Sequence, residues 1–181
     1  MMNMKRSGLT AMLLLGGAGL GWAGTAAGDE PQAVLSNEQI QQALAPQQTR
    51  SFAPRGLARK QAASSDQSVN LNIPFELNSS ALKPQASEQL KQLELALTSP
   101  ALQKDRFVVA GHTDAKGSAQ YNKQLSLRRA ETVKKFLIAQ GVDAVRLDSV
   151  GYGSEKLLAP DHPEDASNRR VEIRDLGPAA H

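Results

Sequence analysis

Asp114 sits in a polar loop, Gly111-His112-Thr113-Asp114-Ala115-Lys116-Gly117, that follows the apolar run Phe107-Val108-Val109. Beyond it, Asn122, Leu125 and Arg129 recur at intervals of three and four residues, which places them on one stripe of a helix. Side chains on a helix lean toward its N-terminus, so Arg129 is positioned to extend back toward the loop. Free N–H groups at the start of such a helix add partial positive charge beside the same loop. A carboxylate and a guanidinium held close, with space between them, suit a zwitterion: Asp114 takes an ammonium, and Arg129 takes a carboxylate through two parallel hydrogen bonds. Arg169 joins them by parity, because it shares a strand face with Val171 and Ile173 while Arg170 takes the other face. An arginine half-covered at a strand entry needs an acidic partner or an anionic ligand. Plainer roles fit several neighbours. Asp114 is a common turn residue ahead of a glycine, His112 is expected to be hydrogen-bonded within its loop, and Tyr152 between Gly151 and Gly153 is expected to pack at a strand end. Arg128, Lys134 and Lys135 read as solvated charges on a helix.

The elements that must position these residues follow from periodicity. Val69, Leu71, Ile73 and Phe75 alternate with polar residues, as in a strand with one buried face. Pro84 suits a first helical turn, and Ala86, Leu90, Leu93 and Leu97 continue at helical spacing until Ser99-Pro100. A second strand over 106–110 opens into the Asp114 loop. Ser118 caps a second helix that buries Ala130, Val133 and Leu137 and ends at Gly141. Leu147 to Val150 and Val171 to Ile173 supply two more strands. The expected fold is an α/β (α+β) two-layer sandwich, order βαβαββ, with a mixed sheet of about four strands and two main helices on one face.

The N-terminus reads as an export signal over residues 1–28, with Lys5 and Arg6, an apolar stretch from Leu9 to Trp22, and small residues before the expected cleavage. The stretch is shorter than the roughly 20 residues of a spanning helix and is interrupted by glycines, so no stable membrane insertion is expected after cleavage. With no cysteine, neither disulfides nor a lipid-modified cysteine is expected. Residues 29–67 shift to Gln, Ala, Ser, Pro and Arg and read as a flexible linker or arm. Within it Ser36 and Gln39 fit a capping box ahead of Ile40 and Leu44, either for a transient helix in a tether or for one completed on an envelope protein partner. The folded domain is expected over 68–176, with a tail at 177–181. Lys+Arg 21 against Asp+Glu 18, with 4% aromatics and no basic cluster, argues against nucleic acid as a partner.

The ordered set Gly111-His112-Thr113-Asp114 with Gly117, Tyr121-Asn122, Leu125-Ser126, Arg129-Ala130, Val133, Leu137, Gly141-Val142, Arg146, Gly151-Tyr152-Gly153 and Asn168-Arg169-Arg170-Val171-Glu172-Ile173 resembles the OmpA-like C-terminal domain family. The resemblance implies a non-catalytic, cofactor-free module of the Gram-negative periplasm, associated with the outer membrane through a partner. Such a module grips the diaminopimelate of the peptidoglycan stem peptide, a group ending in an ammonium and a carboxylate. Position by position, it implies that Asp114 receives the ammonium and Arg129 the carboxylate, with Thr113, Asn122 and Arg169 in support. It implies a further contact at Glu76, where an Asp is often seen. The chain departs from many members at Glu164-Asp165, where they carry a Gly-Arg pair.

Two other functions compete. A metal-assisted hydrolase would use His112 and Asp114, yet a metal needs three or more converging ligands, and the remaining histidines, His162 and His181, lie in a Pro-rich loop and at the C-terminus. A protein-interaction module would keep the fold without wall binding and dock through residues 29–67.

Overall fold

The computed structural model describes residues 34–45 and 67–178, so the predicted export segment lies outside the described residues. The first element is a helix that the sequence assigned to the linker. Helix α1, Asn37–Leu44, carries a full capping box: the Ser36 hydroxyl accepts from the Gln39 N–H, and the Gln39 side chain accepts from the Ser36 N–H at 3.0 Å. Eight residues are too few to stay helical alone. Tertiary packing supplies the rest, because Ile40 and Leu44 are fully buried in the common core. The N–H groups of Leu35 and Asn37 donate to the side-chain oxygens of Gln89 (2.9 Å) and Gln92 (3.1 Å) on helix α2, Ala86–Leu97. Residues 34–45 therefore pack with the domain instead of forming a free linker at that end. Leu44→Ala is expected to lower stability by about 2 kcal/mol or more in urea unfolding, where a helix in a free tether would give no change.

Strand β1, Ser68–Leu71, buries Val69 and Leu71 as the alternation requires. It stops short of the expected Phe75. Instead Phe75 bridges Leu82 in a small hairpin closed by Lys83 N–H to Pro74 O at 3.0 Å, and Ile73 still enters the core. Pro84 falls in the turn before α2 rather than inside it, and Leu90, Leu93 and Leu97 are fully buried as expected.

Strand β2, Asp105–His112, leads into helix α3, Ala119–Ala139, whose N-terminus is capped by the Ser118 hydroxyl accepting from the Tyr121 N–H at 3.2 Å. Strands β3, Leu147–Gly153, and β4, Val171–Pro178, complete one mixed sheet in the order β1-β4-β2-β3. β2 and β3 run parallel, and β4 is antiparallel to both β1 and β2. β4 extends through Gly177 and Pro178, so the expected tail begins inside a strand. The βαβαββ two-layer arrangement is as expected, with α1 added in front. Arg146 ties the far end together: its Nε donates to Asp105 O and its Nη2 to Leu97 O and Leu102 O, so it satisfies the last carbonyls of α2 and its following turn.

Candidate functional site

The loop between β2 and α3 is rigid because each end is bonded to a different element. Thr113 N–H donates to Gly153 O (2.9 Å) on β3, and Ala115 N–H donates to Pro163 O (2.9 Å). Asp114 Oδ1 accepts from Lys116 N–H at 3.3 Å, closing an Asx-type turn. From the first turn of α3, Asn122 donates through Nδ2 to Asp114 O (3.3 Å) and Lys116 O (2.9 Å) and is itself buried. Asn122 thus braces the loop that carries Asp114.

The first half of α3 lies directly on sheet backbone. A Cβ at Gly111 would run into the Ser126 carbonyl, and one at Gly151 would meet the Leu127 N–H and, at 2.6 Å, Lys123 O. Gly153, at φ 57°, donates its N–H to Ser126 Oγ at 2.8 Å. Three glycines on adjacent strand ends therefore make a seat, and the seat fixes where the stripe Asn122, Ser126 and Arg129 stands above the loop.

Charge gathers at this point. Asp114 Oδ2 pairs with Arg169 Nη1 at 2.8 Å, and the Asp114 side chain is only 11% exposed. The sequence reading set Asp114 opposite Arg129, whereas the direct ion pair is to Arg169. Arg129 donates its Nε to Ser79 O at 2.9 Å and lays its guanidinium 4.9 Å from the centre of the Phe75 ring. Burial lowers its pKa, the neighbouring Arg169 charge lowers it further, and Tyr121 and Asp114 act in the opposite direction. Arg129 is therefore within electrostatic reach of both members of the pair. Its two Nη groups make no hydrogen bond among the described residues. Thr113 is buried, and its hydroxyl has no partner there either. Glu76 stands exposed on the hairpin tip, engaged through its backbone only, so it is near the rim and not among the converged charges.

Other residues hold the surroundings. His112 is buried as expected, with Nδ1 3.1 Å from Lys156 O, Nε2 3.1 Å from Glu172 Oε2, and its ring against Tyr152. The His112 hydrogen bond, with further help from Ser68 and Arg174, outweighs burial and pulls the Glu172 carboxyl down to about 2. A depressed carboxyl stabilises the fold above its unfolded value of 4.5 and loses that contribution as pH falls toward 2. The stability difference between wild type and Glu172→Gln is thus expected to be on the order of 3 kcal/mol at pH 6 and to vanish near pH 2. A flat difference in urea titrations across that range would contradict this role.

Asn168 was only one member of a sequence block, yet it is fully buried and organises the loop behind the site. Its Oδ1 accepts from Leu158 and Ala159 N–H, and its Nδ2 donates to His162 and Pro163 carbonyls. That loop presents Glu164 beside Lys116, 3.7 Å apart and both largely exposed, a pair that contributes little to stability.

The OmpA family model matches residues 74–170, more than half of the 181-residue chain and a span that includes all six candidate residues. The chain belongs to the OmpA family. Among OmpA-family relatives, the peptidoglycan-associated lipoprotein of Pseudomonas aeruginosa is 40% identical over 102 residues, covering 55% of this chain and 59% of that protein. Outer membrane porin F of Pseudomonas fluorescens is 39% identical over 107 residues, covering 58% of this chain and 32% of that protein. The chain thus spans less than two thirds of the length of these relatives. Solved structures agree on the fold. The periplasmic domain of Helicobacter pylori MotB superposes with a TM-score of 0.52 at 26% identity, over 62% of this chain and 83% of that one. The cell wall anchor of the T6SS from Pseudomonas aeruginosa gives 0.50 at 26% identity, over 62% and 81%. No described helix is long and apolar enough to cross a membrane.

Proposed function

We propose that this OmpA-family domain binds peptidoglycan non-covalently by the diaminopimelate end of its stem peptide and so anchors the protein, or an envelope complex containing it, to the cell wall. The observation that carries the reading is the charge balance of the site. Two guanidiniums, Arg129 and Arg169, face one carboxylate, Asp114, and the Nη edge of Arg129 is unspent. A ligand carboxylate lying on that edge supplies the missing negative charge through two parallel hydrogen bonds. The ligand ammonium then shares Asp114, which keeps further lone pairs beyond those used by Arg169 and Lys116. Thr113, next in the chain to Asp114 and buried, supports the site through the loop it shares with Asp114. Asn122 contributes by holding the loop, and Glu76 by its place on the rim.

The relatives support this reading, since one is named as a peptidoglycan-associated lipoprotein and a structural neighbour as a cell wall anchor. Anchoring of this kind is an act of binding, in keeping with those relatives. The periplasm is where such a wall-binding domain meets its ligand. Co-sedimentation with purified peptidoglycan tests the proposal: the protein is expected in the pellet, displaced by free diaminopimelate. A protein that stays in the supernatant would leave a domain that serves partner proteins alone.

A further inference from the structure

His112 ends β2 shortly before Asp114, and its side chain has 0% of its surface exposed. Phe107 and Val109 enter the core and Gly111 lies under α3, so alternation turns the His112 ring to the sheet face away from the helices. The charged and titratable groups facing it come from β3, the loop after it, and β4. β3 supplies the Tyr152 ring, its centroid 5.4 Å from that of His112. The loop supplies the Lys156 carbonyl, 3.1 Å from Nδ1, and the Lys156 ammonium, 3.9 Å over the Tyr152 ring. From β4 comes the Glu172 carboxylate, with Oε2 3.1 Å from Nε2 and Oε1 3.8 Å from Arg174 Nε. Just ahead of β4, Arg170 directs Nη1 and Nη2 to the same Lys156 carbonyl, each at 3.4 Å.

A backbone carbonyl only accepts hydrogen bonds. Glu172 is ionised, because the His112 bond, Ser68 and Arg174 together outweigh burial, so it too only accepts. Each ring nitrogen of His112 therefore needs a hydrogen, which imidazole supplies at both positions only when it is positively charged. A neutral ring would set a lone pair against one of the two oxygens, with no exposed surface to relieve it. The backbone joins this ring to the binding site. His112 N–H donates to Arg170 O at 3.0 Å, and Arg170 follows directly on Arg169, the ion-pair partner of Asp114.

We infer that His112 is held as an imidazolium and is a positioning residue for wall binding: it clamps the end of β2 to the Lys156 loop and to β4, so that Asp114 and Arg169 meet in the site. The clamp is complete while the ring carries both protons and loses one of its two bonds when the ring becomes neutral. Binding therefore weakens as pH rises through that deprotonation. This inference rests on the proposed function and deepens it, since it makes the geometry of the site depend on a buried charge that the ligand does not touch.

The test follows the ring nitrogens of His112 by nitrogen-15 NMR in the full chain and, in the same buffers, the pelleting of the protein with peptidoglycan, from about pH 6 upward until the ring loses a proton. Two protonated ring nitrogens are expected at neutral pH, with affinity falling about fivefold as the ring becomes neutral and both changes sharing one midpoint. Glu172→Gln offers an amide that can donate to the ring as well as accept from it, so the need for the charge disappears and the affinity profile is expected to flatten. The ring spectrum is read in wild type, so the conclusion does not depend on the stability of that variant. An unprotonated ring nitrogen at neutral pH, or a deprotonation that leaves affinity unchanged, would overturn the role of His112 and leave the site in place. A wild-type protein that stays in the supernatant at every pH would overturn the reading of the site itself, and the positioning role with it.

Discussion

Arg129→Ala is expected to weaken binding to purified peptidoglycan at least about thirtyfold, close to 2 kcal/mol, read from the concentration at which half the protein pellets. The size follows from the position of the group. Arg129 is partly buried, it spends only Nε on the protein, and the ligand carboxylate would be left facing a desolvated wall without a counter-charge. The same truncation frees Ser79 O and uncovers the Phe75 ring, so part of any loss comes from the hairpin. Arg129→Lys separates the two effects, because it keeps the charge and loses the planar fork; it is expected to recover only a fraction of the affinity. Asp114→Asn is expected to lose a comparable amount by a different route. It removes the negative charge that holds the ligand ammonium and leaves Arg169 and Arg129 as two uncompensated positive charges. Loss of affinity with the unfolding transition preserved is the outcome expected; unchanged pelleting of both variants would contradict it.

The second large effect is on the fold. Gly151→Ala is expected to destabilise the domain by about 3 kcal/mol or more in urea unfolding, because the added methyl meets backbone atoms of α3 that no rotamer change can move. Gly111→Ala should behave alike, since its neighbour is the Ser126 carbonyl. Relief requires α3 to lift from β2 and β3, which would also shift Asn122 and Arg129 away from the loop. Residual folded Gly151→Ala at low temperature is therefore expected to bind the wall less tightly than wild type. A surface control such as Gly117→Ala meets no neighbour, although its φ of 88° still disfavours a side chain, so a smaller loss is expected there.

Much of this arrangement was legible because it depends on local pattern. The apolar spacing of Leu90, Leu93 and Leu97, and of Ala130, Val133 and Leu137, is a property of one helix at a time and reports its buried face directly. Ser118 as a cap follows from the same one-dimensional reasoning. What the sequence left open is pairing between distant segments. Arg169 lies ahead of β4, at the end of a short 3-10 turn over 166–168, so strand parity did not place it; its ion pair with Asp114, 55 residues away, went unassigned and Arg129 was set in its place. Helix α1 was read as tether because its composition is Gln- and Ala-rich. The residues that dock it, Gln89 and Gln92, lie more than fifty positions further on, and nothing local marks them as partners. The early end of β1 has a similar cause: the alternation of apolar residues continues through Ile73 and Phe75, but their backbones turn into a hairpin whose partner strand is set by Leu82.

Zwitterion recognition at one cationic cluster is the claim on which binding and anchoring both depend. Calorimetric titration of the wild-type chain with meso-diaminopimelate, and with two analogues that lack either the ammonium or the carboxylate at one end, addresses it most directly. The doubly charged end is expected to bind, both analogues to fall by tenfold or more (about 1.4 kcal/mol each), and Asp114→Asn to become indifferent to loss of the ammonium. Equal binding of all three compounds, or heat that persists unchanged in Asp114→Asn and Arg129→Ala, would show that the end group is not read at this site.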